Sequence, residues 1–195
     1  MAKLKGSKTA QNLLTAFAGE SQANLRYTLA AKQAKEDGYV QISMIFEETA
    51  RNEREHAAQF YKFLPEAYEN GEGIQVEAAY PVVWASTEEN LEGAINGERE
   101  EADDMYPEMA KVADEEGFSE IAEQYRQIGK VEDKHAIRFQ KLLDNIKNDR
   151  VFKRDEAVLW KCNECGYIAK GKEAPKKCPS CHHPQAYFEL FVETY

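Results

Sequence analysis

The feature of this sequence that most constrains its fold is the placement of acidic residues inside apolar helical stripes. Four stretches repeat apolar side chains at three- and four-residue spacing, which is the pattern of a helix with one buried face. These stripes also contain Glu20, Glu53, His56, Glu98, Glu101, Glu132 and His135. An ionised carboxylate is very costly in an apolar interior unless a positive charge pairs with it. Five carboxylates and two imidazoles directed at one core therefore predict bound metal cations.

Helix start and stop residues divide the chain into four long helices. We expect the first after Ser7 and up to about Glu36, where Asp37-Gly38 ends it, and the second from Tyr39 to Leu64 before Pro65. The third opens at a Ser86–Glu89 capping box and lasts until Gly117, and the fourth covers 118–147. Two short turns and one long connection, residues 65–86, predict a mainly α fold, a four-helix bundle with a long crossover of the ferritin-like kind.

The two halves of the predicted bundle repeat each other. Glu53 and His56 recur as Glu132 and His135 at an offset of 79 residues, whereas Gly19-Glu20 recurs as Gly97-Glu98 at an offset of 78. Tyr27 and Tyr106 return to the offset of 79, so the third helix has one extra residue between Glu98 and Tyr106. We predict that a π-bulge absorbs this residue, because a bulge preserves the buried stripe and is frequent at functional sites.

The repeated Glu-x-x-His units predict a site for two metal ions in the bundle. Each unit places both side chains on one helix face, and the pattern with a Glu from each remaining helix is that of di-iron and di-manganese carboxylate proteins. Oxygen-rich ligands favour iron or manganese over zinc, and redox work favours iron. Glu101 is a surplus carboxylate that could let one iron exchange ligands. The alternative interpretation is a solvated acidic face with two core histidines.

The last part of the chain predicts a second metal site. A charged linker, 148–157, precedes short strands and two Cys-x-x-Cys pairs, Cys162 with Cys165 and Cys178 with Cys181. This spacing is typical of a closed tetrahedral four-thiolate site, in which either structural zinc or redox-active iron fits. Residues 158–195 are too few to bury a sufficient apolar core, so we expect the metal to stabilise this domain.

Charge and hydropathy exclude several classes of partner. The net charge of −10 argues against nucleic acid and against an anionic membrane. No apolar run reaches the roughly 20 residues of a membrane span, and the lysines near the start precede no apolar segment of a signal peptide. Cysteines arranged for metal binding, without an export signal, predict a reducing cytoplasm.

Taken together, these motifs resemble the rubrerythrin family over essentially the whole chain. The matching motifs include Gly97-Glu98-x-x-Glu101, Asp104-Met105-Tyr106-Pro107, both Glu-x-x-His units and both cysteine pairs. The resemblance implies a non-haem di-iron site in residues 1–147 and a small β, rubredoxin-like domain in 158–195 with one iron on four cysteines. It also implies a peroxidase that reduces hydrogen peroxide to water, with electrons from NAD(P)H arriving through a separate reductase or rubredoxin.

The resemblance further implies individual roles for the predicted ligands. Glu53 and Glu132 would bridge the irons, while Glu98 and His135 would bind one of them. Glu20 would bind the other, together with Glu101 when it is ferric or with His56 when it is ferrous. Tyr27 and Tyr106 would lie beside the site. The family forms homodimers or higher homo-oligomers, in which the thiolate iron of one subunit serves its partner.

Two other functions compete with a peroxidase. A ferritin-type ferroxidase or iron-storage protein would form a large hollow shell, in which the cysteine domain has no role. An electron carrier would use the bundle only as a scaffold. Superoxide dismutation is a further activity that an iron site permits.

Overall fold

The computed structural model describes residues 3–68 and 71–194. In these ranges, the α-helices are α1 (Lys8–Glu36), α2 (Val40–Tyr61), α3 (Thr87–Glu100), α4 (Tyr106–Glu115) and α5 (Ser119–Lys147). The strands are β1 (Lys153–Cys162), β2 (Ile168–Glu173) and β3 (Phe188–Leu190). A π-helical segment, Glu101–Met105, joins α3 to α4, and a 3-10 turn, Gln185–Tyr187, precedes β3. None of the described helices combines the length and apolar character that a membrane crossing requires.

Local capping determines where the first long helices begin and end. The Ser7 hydroxyl accepts the Ala10 N–H at 3.0 Å and starts α1, as the sequence predicts. Gly38 has a φ of +87°, and the Tyr39 N–H returns to the Ala34 carbonyl at 2.8 Å, which closes the helix in a Schellman turn. The short turn allows α2 to return antiparallel along α1, and the two helices pack closely. The second helix ends at Tyr61, three residues before the predicted end.

The third long helix of the bundle is interrupted where the repeat contains its extra residue. It starts with the predicted Ser86–Glu89 capping box and is α-helical to Glu100. The π-helical segment then absorbs the additional residue, and α4 continues from Tyr106. The predicted π-bulge is therefore confirmed. Since the bulge restores the register, Glu98 and Tyr106 both remain buried despite the insertion.

Two acidic residues in the inter-helix turns bind the first turns of other helices, a feature that the sequence analysis missed. Asp37 accepts both the Thr87 N–H, at 3.0 Å, and the Thr87 hydroxyl, at 2.6 Å. In the other half, Glu116 accepts the Thr9 N–H at 2.8 Å and the Thr9 hydroxyl at 2.6 Å. Both threonines are fully buried. Each turn thus accepts additional N–H and hydroxyl groups from the first turn of a helix in the opposite half, and the two halves interlock.

The bundle interior is layered along the helix axes. One apolar cluster contains Tyr27, Phe46 and Phe139, and a second contains Phe60, Tyr106 and Tyr125. These two aromatic trios are equivalent under the 79-residue repeat, with Phe46 in the position of Tyr125. The predicted carboxylates and histidines occupy the layer between the clusters, so apolar packing shields that layer on both sides.

The C-terminal region forms a three-stranded antiparallel sheet in the order β2-β1-β3. Trp160 on β1 pairs with Ala169 and Leu190 and is fully buried, with its indole N–H donated to the Gly171 carbonyl at 3.0 Å. Because β1 begins at Lys153, the strand extends into the segment predicted to be a linker. Pairing with Glu173 extends β1 despite its lack of apolar periodicity. Phe152 stacks on Tyr39 of the bundle, with ring centroids 6.4 Å apart.

Candidate metal centres

The layer between the apolar clusters gathers ligands from four helices into two overlapping groups. One group is Glu20, Glu53, His56 and Glu132, and the other is Glu53, Glu98, Glu132 and His135. In each group, one nitrogen or oxygen atom per residue lies within 4.8 Å of all the others. Glu53 and Glu132 belong to both groups, which is the arrangement that two adjacent metal ions with shared carboxylates require. Six of the seven ligands predicted for this site are brought together in this way.

Each histidine directs Nδ1 at carboxylates from both halves of the bundle. His56 Nδ1 lies 3.0 Å from Glu53 Oε2 and 2.9 Å from Glu132 Oε1. His135 Nδ1 lies 2.8 Å from Glu132 Oε2 and 3.2 Å from Glu53 Oε1. The ring centroids of the two histidines are 6.1 Å apart, and the ring planes are inclined at 27°. This pairing follows from the repeat, because the pseudo-twofold relation exchanges the two Glu-x-x-His units.

The tyrosines connect the two halves in a crossed manner. The Tyr27 hydroxyl donates to Glu98 Oε1 at 2.6 Å, and the Tyr106 hydroxyl donates to Glu20 Oε1. Each donor comes from the half opposite to its acceptor. Burial and the nearby carboxylates raise the pKa of both phenols, so both remain protonated donors at neutral pH.

The buried oxygens test whether metal ions fit this site. Glu20, Glu53, Glu98 and Glu132 are between 0 and 1% exposed. Both oxygens of Glu132 and one oxygen of each other carboxylate have no partner in hydrogen-bonding geometry among the described residues, although an imidazole nitrogen lies 2.8–3.2 Å from three of these oxygens. Unpaired buried oxygens of this kind are rare, since each costs about 1–3 kcal/mol. Divalent cations with oxygen and imidazole ligands satisfy all of these atoms, so the site fits a pair of such ions.

Burial and mutual repulsion strongly perturb the ionisation of this cluster. Burial raises the pKa of Glu20, and burial together with Glu53 and Glu132 raises the pKa of Glu98 to about 8. Burial also acts on Glu53, but hydrogen bonds from His135 and His56 outweigh it and lower that pKa to about 2. Although burial opposes it, the surrounding carboxylates raise the pKa of His135 to about 12. Protons thus provide the positive charge when metal ions do not.

Glu101, the seventh predicted ligand, is placed differently from the others. It opens the π-helical segment, is half-buried, and belongs to neither ligand group. Burial and the charges of Glu20 and Glu98 raise its pKa, which shows that its carboxyl group lies within electrostatic reach of the cluster. The bulge is the physical reason for its position, since the π-helical turn begins at Glu101 and its one extra residue changes the direction of this side chain relative to a regular α-helix.

The four cysteines converge on a second site in the C-terminal sheet. Their sulfur atoms all lie within 4.8 Å of one another, with Cys162 Sγ 3.7 Å from Cys181 Sγ and Cys165 Sγ 3.6 Å from Cys178 Sγ. A tetrahedral metal with bonds of about 2.3 Å would place its sulfurs about 3.8 Å apart. All four cysteines are free thiols. Burial raises the pKa of Cys178, but the backbone N–H groups of Cys181 and Ser180 outweigh it and lower that pKa to about 6.

The sequence analysis missed one side chain near these sulfurs. His183 Nδ1 lies 3.4 Å from Cys181 Sγ, and its ring packs on Tyr187 at 4.5 Å. Its position two residues after the last cysteine is the only sequence indication of this contact. The knuckle turn brings the imidazole back onto the sulfur.

Comparison with known proteins agrees with both sites. Residues 11–143 match the family model described as rubrerythrin, and residues 160–189 match that of the rubrerythrin rubredoxin-like domain. The chain is 56% identical to a rubrerythrin of Clostridium perfringens over 100% of both chains. It is 49% identical to a rubrerythrin of Nitratidesulfovibrio vulgaris over 97% of each.

Solved structures give the same result for the fold. A structure of nigerythrin in its fully reduced, all-ferrous state has a TM-score of 0.63 at 35% identity, covering 97% of this chain and 92% of that chain. A Desulfovibrio desulfuricans bacterioferritin has a TM-score of 0.61 at 19% identity over 73% of this chain and 83% of that one, which shows a shared fold alone. The predicted ferritin-like bundle is therefore confirmed, together with a small β domain.

Proposed function

Because the chain belongs to the rubrerythrin family, with its di-iron bundle and rubredoxin-like domain, we propose that it is a peroxidase that reduces hydrogen peroxide to water. The observation that supports this most is the pair of ligand groups joined through Glu53 and Glu132, in one chain with a four-cysteine site. The first site suits a donor of two electrons, and the second suits a carrier of single electrons.

The proposed ligands follow the two groups. Glu20 and His56 would hold one iron, Glu98 and His135 the other, and Glu53 and Glu132 would be shared. Glu101 is the proposed alternative to His56 when that iron is oxidised. The four cysteines would hold a third iron. When bound, a ferrous pair supplies the two electrons that convert hydrogen peroxide and two protons into two water molecules.

The surrounding side chains orient the ligands and exclude water. The phenols of Tyr27 and Tyr106 hold Oε1 of Glu98 and Glu20, so the other oxygen of each carboxylate stays directed into the cluster. Such supporting hydrogen bonds fix ligand orientation and influence the metal. The aromatic trios on either side keep bulk water from the reacting layer.

The position of the C-terminal sheet supports electron delivery between subunits. Ala186 approaches Gly38, and Phe152 stacks on Tyr39, both at the start of α2. Glu53 is fourteen residues beyond Tyr39, which is about 20 Å along a helix. We therefore propose a homodimer or larger homo-oligomer in which the thiolate iron of one subunit serves its partner. An NAD(P)H-linked reductase or a rubredoxin would supply the electrons in the cytoplasm.

The deciding experiment uses the iron-loaded full chain, reduced under anaerobic conditions. We expect one equivalent of hydrogen peroxide to oxidise the bundle iron of each chain. With a reductase present, NAD(P)H should be consumed in proportion to the peroxide added. The Glu53→Ala variant, which lacks a shared carboxylate but retains all four cysteines, is the control and should lose peroxide turnover while the thiolate iron is still reduced.

Other results would favour the competing functions. Oxygen-driven formation of an iron mineral inside a large shell, seen by gel filtration, would support iron storage. Reversible single-electron exchange without any reaction with peroxide would support an electron carrier. Either result would replace the peroxidase proposal.

A further inference from the structure

The buried position of the ligand layer raises the question of how a substrate enters it. All four carboxylates that form the two groups are at most 1% exposed. We propose that hydrogen peroxide enters through the groove between α4 and α5, and that Gly129 keeps this route open. This inference rests on the proposed peroxidase function and adds a residue that selects substrates by size.

The groove is large and borders the π-helical segment. Its volume is about 660 Å³, and its floor is mainly apolar, formed by Ala102, Tyr106, Pro107, Ala110 and Gly129. Charged side chains of both signs stand at its rim, Asp103 and Asp133 beside Arg126 and Lys130. A neutral peroxide molecule is small compared with this opening, so the floor and not the mouth must limit entry.

Tyr106 separates the floor of the groove from the ligands. Its ring lines the groove, and its hydroxyl donates to Glu20 in the ligand layer. The ring is fully buried between the groove and Glu20, so a shift of this side chain would open a path from the groove to the cluster. The π-helical segment places Ala102 and Tyr106 together on this wall.

Gly129 on α5 lies directly against this separating ring. A Cβ at position 129 would lie 3.6 Å from Tyr106 Cβ and 3.8 Å from Tyr106 Cδ2, and 4.0 Å from the Ala102 carbonyl oxygen. These are ordinary packing contacts, so a methyl group would fit and would support the ring in its closed position. A larger side chain would fill the floor of the groove.

The internal repeat provides a comparison within the same molecule. The residue equivalent to Gly129 in the other half is Ala50, which is buried, and Asn24 donates its side-chain amide to the Ala50 carbonyl. That half has no bulge, and its groove between α1 and α2 is smaller, at about 360 Å³, and is not lined by Ala50. The glycine and the bulge thus occur together at the larger groove, which is expected if they serve entry.

The test compares Gly129→Ala and Gly129→Leu with the parent protein, all iron-loaded and reduced. Stopped-flow mixing with hydrogen peroxide and with cumene hydroperoxide gives kcat/KM for a small and a bulky substrate. We expect Gly129→Ala to slow the hydrogen peroxide reaction several-fold, and Gly129→Leu to slow it tenfold or more. Cumene hydroperoxide should react slowly with the parent protein and more slowly still with both variants.

Two controls separate entry from general damage. Lys141→Leu adds the same side chain to an exposed position of α5 outside the groove and should react like the parent. Re-reduction of the oxidised bundle by the thiolate iron needs no peroxide and should be unchanged in every variant. Alanine is favoured over glycine inside a helix, so Gly129→Ala should melt no lower than the parent.

The possible outcomes are distinct. Parent protein that does not react with peroxide overturns the proposed function itself. A reactive parent with unchanged kcat/KM in both variants overturns the route through the groove, as does a loss that affects re-reduction equally. If Gly129→Leu loses iron, the rate measured for Gly129→Ala decides whether the route through the groove is correct.

Discussion

Single atoms in the ligand layer show how the chain stabilises concentrated negative charge. Every carboxylate there has an oxygen left for a metal ion, while Tyr27 and Tyr106 each occupy one oxygen of a terminal carboxylate. The phenols donate to carboxylates of the opposite half, so ligand orientation depends on both halves. Burial raises the pKa of Glu98, and the surrounding carboxylates raise the pKa of His135, so both groups ionise differently from free side chains.

Removing one phenol should weaken the centre without destroying it. Tyr106→Phe retains the buried ring but leaves Glu20 Oε1 without its donor. Loss of such a supporting hydrogen bond costs about 10–100-fold in metal affinity or activity. We expect a decrease of this size in kcat/KM for peroxide, measured with the iron content of each sample. Tyr27→Phe, the equivalent change in the other half, should behave similarly, and full activity in both variants would contradict this role.

Metal loading should release protons near neutral pH. In the metal-free protein, the raised pKa of Glu98, about 8, and that of His135, about 12, keep both groups protonated. Ligation requires ionised carboxylate and neutral imidazole, so these protons must leave. Anaerobic calorimetry of ferrous binding in buffers of different ionisation enthalpy measures the release. The number of protons released should decrease once the pH exceeds the pKa of Glu98. Equal heats in all buffers at neutral pH would contradict the predicted proton release.

At the scale of helices and turns, the duplication explains more than the metal ligands. Asp37 and Glu116 occupy equivalent turns and bind the buried threonines Thr87 and Thr9 in the opposite halves. The same repeat contains one unmatched residue, which the π-helical segment accommodates. The bulge places Glu101 outside the two ligand groups and forms one wall of the groove.

The turn caps predict a pH-dependent contribution to stability. Hydrogen bonds from Thr87 and Thr9 outweigh burial and lower the pKa of Asp37 and Glu116 in the folded protein. A lowered carboxyl pKa contributes stability above the unfolded-state pKa and loses it as the pH falls through the folded-state value. Asp37→Asn and Glu116→Gln should each reduce the free energy of unfolding by about 1 kcal/mol at neutral pH.

Urea unfolding of these variants at neutral and acidic pH measures the effect. The difference from the parent should shrink on acidification, because the parent carboxyl groups then become protonated. Glu120→Gln, which neutralises an exposed carboxylate in the first turn of α5, is the control and should show a smaller change. A constant difference at all pH values would contradict the assigned role of the charge.

The whole molecule consists of two parts that are stabilised differently. The bundle has two extensive apolar clusters, whereas the small sheet has a core of a few residues around Trp160 and Phe188. A core of this size needs a metal ion to remain folded. The sheet contacts the bundle near Tyr39, away from the ligand layer.

Loss of the thiolate metal should therefore unfold the sheet and leave the bundle intact. Cys178→Ser removes one of the four sulfur ligands, and we expect fast proteolysis within residues 153–190 while helical circular dichroism persists. Glu53→Ala is the matched variant in the bundle and should leave the sheet resistant. Resistance of the sheet in Cys178→Ser would show that it folds without its metal ion.

The sequence alone determined the four helices, the π-bulge, and the residues able to bind metal in both sites. The features of the bundle depend on local capping and on spacing along one helix, because helix geometry converts a separation of three or four residues into a shared face. The cysteine site depends on the spacing of its two Cys-x-x-Cys pairs. The crossed tyrosines, the Asp37 and Glu116 interlocks, the position of Glu101 and the groove beside Gly129 were decided only by the tertiary structure. Each depends on the distance between side chains from different helices, which is set by how the helices pack and not by spacing along the chain.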